Sequence, residues 1–381
     1  MFSYIDSPIL QKAKLYLSEE VKTLANLIDV SSMDLSQALQ GLGDLGLLNL
    51  RLPQSWGGKG LEEKIFSDFQ ELVASYSGAL AFLQTQHHSA VGMISASENY
   101  QLQEKYLPLI GKNQRWLGVG FSQLRRKGKP TITALPVSGG YQLDGFVPWI
   151  TGHGIFSDFI VAATLPDGSA VFGVVPFGEI NQPSTGEMVR FSPPAQLAAM
   201  TSTNTVSSNF SSYFLSAEQV VFIKPEGWIH ENDKKNALRT SFLVTGCAIA
   251  GLDIIATASK QKSLPVIADA LTYLYQELTD CRIAIREAEQ NPQTELSRKL
   301  HLRSWAIELA NRIAQAAVTV SSGAANYRHH SAQRIYRETL LFTVTGQTTE
   351  VMAATLARLV RREWRSEEQR VLWSEKKQII N

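Results

Sequence analysis

Three of the seven histidines in this 381-residue chain are the first candidates for acid–base chemistry. Two adjacent histidines, His87 and His88, follow an apolar run, and a third, His153, lies further along. Imidazole titrates near neutral pH, so each ring is a candidate general acid or base. The alternative for the pair is structural: histidines at a helix end whose nitrogens are satisfied by the backbone. His329 and His330 lie in a polar stretch, where we expect them to be solvated.

Two further features concern thiols and positive charge. Cys247 and Cys281 both lie in apolar, helix-like stretches, which predicts two reduced, buried thiols and no metal-ligand spacing. A basic run from Arg125 to Lys129 is suited to binding phosphate groups. The alternative for this run is a solvated hairpin tip.

The composition is that of a folded protein with a sizeable core. The chain is 44% hydrophobic and 19% charged, and its net charge is +1. That balance favours neither nucleic acid nor an anionic membrane as a partner. The first 20 residues lack the pattern of a secretory signal, and the most apolar stretch, Phe242–Ile255, is short for a membrane span and contains Asp253. We therefore expect a cytoplasmic protein without a membrane span.

Hydrophobic periodicity divides the chain into three parts. Apolar residues recur at threes and fours from Ser7 to about Leu109, which predicts helices, interrupted by a Pro- and Gly-rich loop from Leu52 to Leu61. Short runs with a period of two follow, and long helical patterns then return. We predict a mainly α protein with three domains: residues 1–115 helical, 116–225 a β-barrel or sandwich, and 226–381 a helical bundle.

The elements that would build the last two domains can be placed more closely. The turns at 138–140 and 166–168 separate three predicted strands, which are Tyr141–Phe146, Phe159–Thr164 and Ala170–Val175. The predicted bundle helices are Ala237–Ala258, Pro265–Glu289, Glu295–Ser321 and Arg337–Arg370.

Three sequence blocks, taken in order, resemble the acyl-CoA dehydrogenase superfamily over nearly the whole chain. They are LGDLGLLNLRLPQSWGGKGL at 42–61, YQLDGFVPWIT at 141–151, and the stretch from Ser322-Gly323 to Arg337-Glu338. The resemblance implies a helical domain, a β-domain and a C-terminal four-helix bundle, which agrees with the periodicity. It also implies a flavoprotein oxidoreductase.

The cofactor implied by the resemblance is FAD, with FMN or reduced flavin as the alternatives. By carry-over, Trp149 covers the isoalloxazine, Thr151 reaches its N5 side and Ser122 meets its pyrimidine edge. Gly323 and Thr348 are the further cofactor positions. The structural alternative is a core tryptophan and a threonine at a strand edge. Where many members have Arg-x-x-Phe for the FAD pyrophosphate, this chain has Lys260-Gln-Lys-Ser-Leu264, and lysine is only a point charge for phosphate.

The chain departs from the family at the catalytic base. The position of the family's catalytic Glu falls on Gly346, followed by Gln347, and neither can take a proton. A second position used by some relatives falls near Ser241, which is also not a carboxylate. The catalytic base is therefore unassigned, and the candidates are His88, His153 and Glu350.

Three functions follow from the resemblance and this departure. The first is oxidation of the CH–CH group of an acyl thioester, such as an acyl-CoA. The second is a reduced-flavin-dependent monooxygenase or hydroxylase, which needs no α-proton base. The third is a non-catalytic flavin- or acyl-binding protein. The implied partners are a second copy of the chain, as a homodimer or homotetramer, and an electron-transfer or flavin-reductase protein.

Overall fold

The computed structural model describes Tyr4 and residues 6–360. Within that range helices come first, a nine-stranded sheet follows, and helices close the chain. The predicted fold class, mainly α with a central β-domain and C-terminal helices, is confirmed. The last ten residues of the predicted helix Arg337–Arg370 lie outside the described residues.

The described N-terminal part contains six α-helices. They are α1 (Pro8–Tyr16), α2 (Ala25–Ile28), α3 (Ser32–Asp44), α4 (Glu63–Ala74), α5 (Gly78–Ser95) and α6 (Tyr100–Gly111). The first five share a core with the C-terminal helices, whereas α6 and the end of α5 pack against the β-domain. Ser31 caps α3 by accepting from the Asp34 N–H, and Ser77 caps α5 by accepting from the Leu80 N–H. The predicted loop lies between α3 and α4. His87 and His88 lie inside α5 and not at its end, so the helix-end alternative is wrong.

The strands form a single sheet. They are β1 (Leu117–Gly120), β2 (Ile132–Val137), β3 (Gly140–Ile150), β4 (Asp158–Thr164), β5 (Ala170–Pro176), β6 (Ile180–Gln182), β7 (Glu187–Phe191), β8 (Val206–Ser216) and β9 (Val220–Lys224). Their order is β6-β7-β8-β3-β2-β4-β5-β9, and β1 pairs parallel with β4 outside that path.

Strand β4 is continuously apolar because both of its faces are buried. Phe159 and Val161 belong to the core inside the β-domain, whereas Ile160 and Ala162 pack with residues of α5 and α6. The β-domain is thereby fixed against the N-terminal helices, and the end of β3 is held in place beside them.

Long helices build the C-terminal part. They are α7 (Trp228–Lys235), α8 (Arg239–Lys262), α9 (Pro265–Gln290), α10 (Leu296–Ser321), α11 (Ser331–Val344) and α12 (Thr349–Leu359). The predicted single helix from Arg337 is wrong, because the chain breaks between Val344 and Thr349. Gly346 has φ +59°, a left-handed conformation that ends α11, and Thr348 caps α12 by accepting from the Val351 N–H.

Helix α8 is the core helix of this part. It is the one described helix that is long and apolar enough to cross a bilayer by length and composition, but 78% of its apolar window is buried inside the protein. Cys247 lies in it, Cys281 lies in α9, and both are buried without a disulfide partner. Burial raises the pKa of Cys281 to about 12, so its thiol stays protonated at neutral pH.

A buried ion cluster joins the N-terminal helices to the C-terminal bundle. Glu71 of α4 is fully buried and lies 2.6 Å from Arg282 and 2.5 Å from Arg286, both on α9. Its Oε1 also accepts from the Thr245 hydroxyl of α8 at 2.5 Å, and Asp68 pairs with Arg286 at 2.6 Å. Burial alone would raise the pKa of Glu71, but the two arginines lower it, so the carboxylate is charged.

Removing the charge of Glu71 is expected to destabilise the whole fold. A Glu71→Gln variant removes the carboxylate charge that Arg282 and Arg286 share, although Arg286 keeps its pair with Asp68. Breaking a buried pair costs about 3–5 kcal/mol. Urea unfolding followed by circular dichroism measures the loss. The matched control is Glu287→Gln on the exposed side of α9, which should change the free energy of unfolding by less than about 0.5 kcal/mol. Equal stability of the two variants would contradict this role for the cluster.

Candidate functional site

The end of strand β3 carries two of the predicted cofactor residues. Successive side chains of a strand point to opposite faces, so Trp149 and Ile150 face opposite ways. Ile150 is buried in the β-domain core, whereas Trp149 is 49% exposed. Thr151 follows directly and is 6% exposed. The strand therefore ends in an open indole beside a buried hydroxyl.

Two glycines that sequence reasoning missed bring β1 against this strand end. A Cβ on Gly118 would lie 2.8 Å from the Thr151 carbonyl oxygen, and one on Gly120 would lie 2.9 Å from Ile150 Cγ1. Any larger residue would push the strands apart. Ser122 follows two residues later, and its Oγ is buried without a hydrogen-bond partner. Buried polar groups are normally satisfied, so this orphaned hydroxyl fits a site that a ligand completes.

Two of the basic groups near the predicted phosphate positions, Arg125 and Lys262, are already engaged within the protein, whereas Arg126, Lys127, Lys129 and Lys260 are exposed. Arg125 forms a bidentate pair with Asp233 of α7, with N···O distances of 2.7 and 2.8 Å. Lys262, in the stretch that replaces Arg-x-x-Phe, donates to the Val320 carbonyl at 2.6 Å. Neither side chain is positioned as a dedicated phosphate ligand.

A chain of threonine hydroxyls lies behind Thr151. Thr151 Oγ1 is 3.0 Å from Thr205 Oγ1, which is 3.2 Å from Thr203 Oγ1. The Thr203 hydroxyl donates to the Met200 carbonyl at 2.7 Å. All three threonines are buried. No local sequence pattern marks this chain of hydroxyls, because Thr151 and Thr205 are 54 positions apart.

The loop between α11 and α12, where the family places its base, is held by an arginine and not by a carboxylate. Arg303 Nη2 donates to the Thr345 and Gly346 carbonyls at 2.7 and 3.0 Å, and its Nη1 donates to the Ala237 carbonyl at 3.2 Å. Burial lowers the pKa of Arg303 to about 10. A Cβ on Gly346 would lie 3.3 Å from Thr240 Oγ1, a tight contact that a small shift of the Thr240 side chain must relieve, and the φ of +59° adds strain for any side chain there.

A cleft opens between α4, α5, α8 and this loop. It encloses about 610 Å³ together with the solvent at its mouth. Glu63 lies at one side, 2.5 Å from Arg51 and 3.3 Å from Arg239. The apolar part of its wall consists of Phe66, Phe82, Phe242 and Leu243, and Thr345 and His88 also line it. The cleft is therefore a mixed apolar and polar site that reaches the loop next to Gly346.

His88, a predicted catalytic candidate, is a neutral imidazole in the cleft wall. Its Nδ1 lies 3.0 Å from the Gln84 carbonyl and 2.7 Å from Gln84 Oε1, two acceptors that assign the proton to Nδ1. Burial lowers its pKa well below the usual 6.5, and the neighbouring His87 and Arg51 add to the shift. The ring is therefore a poor proton acceptor, although Nε2 has no hydrogen-bond partner.

The other predicted site residues, His153, Glu350 and Gly323, lie in three different environments. The His153 ring packs against Phe177 and Phe191, with centroids 5.7 and 5.0 Å away. Glu350 is exposed in the first turn of α12, where the helix-end backbone and the Thr348 hydroxyl lower its pKa and make it a weak base. Gly323 lies just after α10, roughly 27 Å along the helix axis from Arg303 by helix rise. It is thus remote from the Gly346 loop of the same chain.

Besides Glu63, a second carboxylate near the cleft was missed by sequence reasoning. Glu289 of α9 accepts from the hydroxyl of Ser67, a cleft residue, at 3.2 Å. Burial raises the pKa of Glu289 to about 7, so it can exchange a proton at physiological pH. Nothing in the local sequence marks it, because the contact spans 222 positions of the chain.

Comparison with known proteins identifies the class to which this architecture belongs. Residues 7–114 match the family model described as acyl-CoA dehydrogenase, N-terminal domain. The very long-chain specific acyl-CoA dehydrogenase of rat mitochondria is 28% identical over 148 residues, which cover 36% of this chain and 22% of the rat protein. The match thus spans about a fifth of the curated relative's length.

The similarity of fold extends over nearly the whole chain. Butyryl-CoA dehydrogenase from Megasphaera elsdenii superposes with a TM-score of 0.77 at 17% identity, covering 95% of this chain and all of that one. KijD3 in complex with FMN and a dTDP-linked amino sugar superposes with a TM-score of 0.71 at 16% identity, covering 94% and 95%. Together with the N-terminal sequence match, these findings show that the chain has the fold of the acyl-CoA dehydrogenases, as the sequence resemblance predicted.

The buried histidine pair makes stability sensitive to acid. His87 Nδ1 accepts from the Leu117 N–H at 3.2 Å, and burial lowers its pKa to about 4. The unfolded chain, with a histidine pKa near 6.5, binds the proton first as the pH falls. The free energy of unfolding should therefore drop between pH 6.5 and 4, by up to about 1.4 kcal/mol per pH unit for each such group.

A His87→Gln variant tests this, because glutamine can accept from the same N–H but does not titrate. Urea unfolding at several pH values from 7 to 4.5 should give a shallower pH dependence than the native protein. The control is His329→Gln in an exposed loop, which should leave the slope unchanged. A native-like slope in the His87 variant would show that this imidazole is not the acid-sensitive group.

Proposed function

We propose that this protein is a flavin-dependent oxidoreductase that acts on the CH–CH group of an acyl thioester, such as an acyl-CoA, bound in the cleft. The observation that carries the proposal is the open face of Trp149 at the end of β3 together with the orphaned hydroxyl of Ser122, two positions that the family resemblance assigns to flavin contact. An exposed indole offers a large, flat aromatic surface on which a ligand ring can pack.

These residues fit an isoalloxazine ring. The Trp149 indole offers an aromatic face, Ser122 offers an unsatisfied hydroxyl, and Thr151 offers a buried oxygen at a fixed position. A bound flavin supplies the hydride acceptor for oxidation of the substrate. The protein's part is to hold the substrate in the cleft, where its phenylalanines suit an acyl chain, and to exclude water from it.

The choice between FAD and FMN depends on the phosphate ligands. Because Arg125 and Lys262 are engaged within the protein, the proposal favours FMN or a weakly held FAD over a tightly bound FAD. KijD3, whose fold is similar, is described with FMN.

A reduced-flavin-dependent monooxygenase is the second candidate, and the Gly346 loop favours it. No carboxylate stands where the superfamily has its base, and His88 is neutral and a poor acceptor. A monooxygenase reaction needs no α-proton acceptor, so this loop would suit it. Glu289 is the group that would allow the dehydrogenase reaction, with Ser67 between it and the cleft. A non-catalytic binding protein remains the outcome if neither reaction is found.

Introducing a carboxylate at Gly346 should show whether the site lacks only a catalytic base. In the native protein we expect slow anaerobic bleaching of bound flavin by acyl-CoAs of several chain lengths. In Gly346→Glu we expect bleaching at least tenfold faster, because a positioned base contributes roughly 10²–10⁴-fold. The control is Gly346→Ala, which carries the same cost of a side chain at φ +59° without the carboxylate.

Each other outcome of this experiment is informative. Rapid bleaching by the native protein would contradict the missing-base argument and direct attention to Glu289. Bound flavin that no acyl-CoA bleaches in either protein, combined with oxygen-dependent consumption of supplied reduced flavin, would favour the monooxygenase. Absence of flavin binding in any state would support the non-catalytic alternative.

We also infer that the chain forms a homodimer or homotetramer through the faces of α11 and α12. Exposed apolar side chains recur there at helical spacing: Tyr336, Leu340 and Val344 on α11, and Met352, Leu356 and Leu359 on α12. An electron-transfer or flavin-reductase partner is part of the same proposal, since the flavin must exchange electrons with another protein.

Introducing charge into these faces should weaken the assembly. We expect a Leu340→Glu, Leu356→Glu double variant to shift towards monomer in light scattering, while far-UV circular dichroism stays native. Tyr100→Glu, an exposed apolar residue on α6, is the matched control and should not change the mass. A double variant with the native mass would place the interface elsewhere.

A further inference from the structure

We propose that the buried threonine chain behind Thr151 makes this site selective for the reduced form of the flavin. The inference rests on the proposed function, in that it takes the flavin N5 edge to face Thr151. The inference goes beyond the proposed function in two ways. It assigns the flavin redox state that the protein prefers, and it names Thr205 and Thr203 as the positioning residues that impose the preference.

The direction of the hydrogen bonds follows from counting protons. Each threonine hydroxyl has one proton to donate and can accept further bonds. The Met200 carbonyl can only accept, so the Thr203 proton is committed to it at 2.7 Å. Thr203 must then accept from Thr205, which in turn must accept from Thr151. The proton of Thr151 therefore points into the protein.

Thr151 consequently offers the cofactor an acceptor only. Oxidised flavin has an unprotonated N5, which also accepts, whereas reduced flavin carries an N5–H, which donates. An oxygen acceptor facing the oxidised ring leaves both groups unpaired, and a buried unpaired group carries a desolvation cost. Facing the reduced ring, the same oxygen receives a hydrogen bond. The reduced state is favoured on this account.

The Met200 carbonyl, at which the chain of threonine hydroxyls ends, is held firmly, so it does not reorient to suit the ligand. Met200 has φ +57° and Asn204 has φ +44°, both left-handed conformations unusual for residues other than glycine. The Met200 N–H donates to Asp29 Oδ1 at 2.6 Å, and Asp29 Oδ2 lies 2.8 Å from Arg337 Nη1. The carbonyl that sets the direction of the threonine chain is thus anchored by a buried ion pair.

The expected preference is about tenfold in affinity, the size of one net hydrogen bond. For a two-electron couple, a tenfold ratio corresponds to a midpoint potential about 30 mV above that of free flavin. The protein would then bind reduced flavin more tightly than oxidised flavin. The bound oxidised flavin would be a slightly stronger oxidant than free flavin, which agrees with its proposed role as a hydride acceptor.

The test compares binding of the two redox states and does not depend on turnover. Anaerobic titrations of the full chain with oxidised and with dithionite-reduced FMN, repeated with FAD, give the two dissociation constants, and a potentiometric titration gives the midpoint potential. In Thr205→Val the Thr151 proton loses its acceptor and becomes free to donate to N5. We expect the preference for reduced flavin to fall about tenfold in that variant. Thr205→Ser keeps the hydroxyl and should retain the native ratio.

Thr203→Val provides an independent second variant if Thr205→Val does not fold. It removes the fixed end of the chain, so the direction of the remaining bonds is no longer imposed and the preference should again fall. Flavin bound equally well in both redox states by the native protein, or a ratio unchanged in the valine variants, would overturn the inference alone. Failure of the native protein to bind flavin in either state would overturn the proposed function, and the inference with it.

Discussion

The structure depends on one buried carboxylate. Glu71 lies in a core from which water is excluded, and its charge survives there because Arg282, Arg286 and Thr245 satisfy it. A paired charge in the interior fixes geometry more strictly than apolar packing does, since every partner must keep its distance and direction. Helix α4 is thereby set against α8 and α9, and the cleft between α4, α5 and α8 takes its shape from that arrangement.

The two sides of the candidate site have complementary polar features. At the loop next to the cleft, a left-handed glycine, Gly346, is held by Arg303 through backbone carbonyls. At the end of β3, a chain of hydroxyls turns the proton of Thr151 inward. In the proposed function, the first feature leaves the substrate without a proton acceptor and the second provides an acceptor for the cofactor. Together they give an acyl-CoA dehydrogenase fold in which the proposed proton donors and acceptors differ from the family pattern.

Periodicity predicted the elements well where one physical pattern dominates. The apolar run at 159–164 falls within Asp158–Thr164, and the run at 170–175 falls within Ala170–Pro176. The helix predicted from Arg337 was wrong because Gly346 permits a left-handed break that an otherwise apolar, helical pattern conceals. His87 and His88 were expected at a helix end because polar residues there resemble a terminus. In the structure α5 continues to Ser95, with both rings buried.

The sequence by itself determined the type and order of the elements, the superfamily resemblance and the absence of a carboxylate at Gly346, because all of these are recorded in local patterns of residues. Only the tertiary structure decided which polar groups meet. The contact of Ser67 with Glu289, the pairing of Glu71 with Arg282 and the bond from Thr151 to Thr205 each join residues that are distant along the chain. Hydrogen-bond direction and pKa depend on distance, burial and partners in space, and a linear pattern carries none of these quantities.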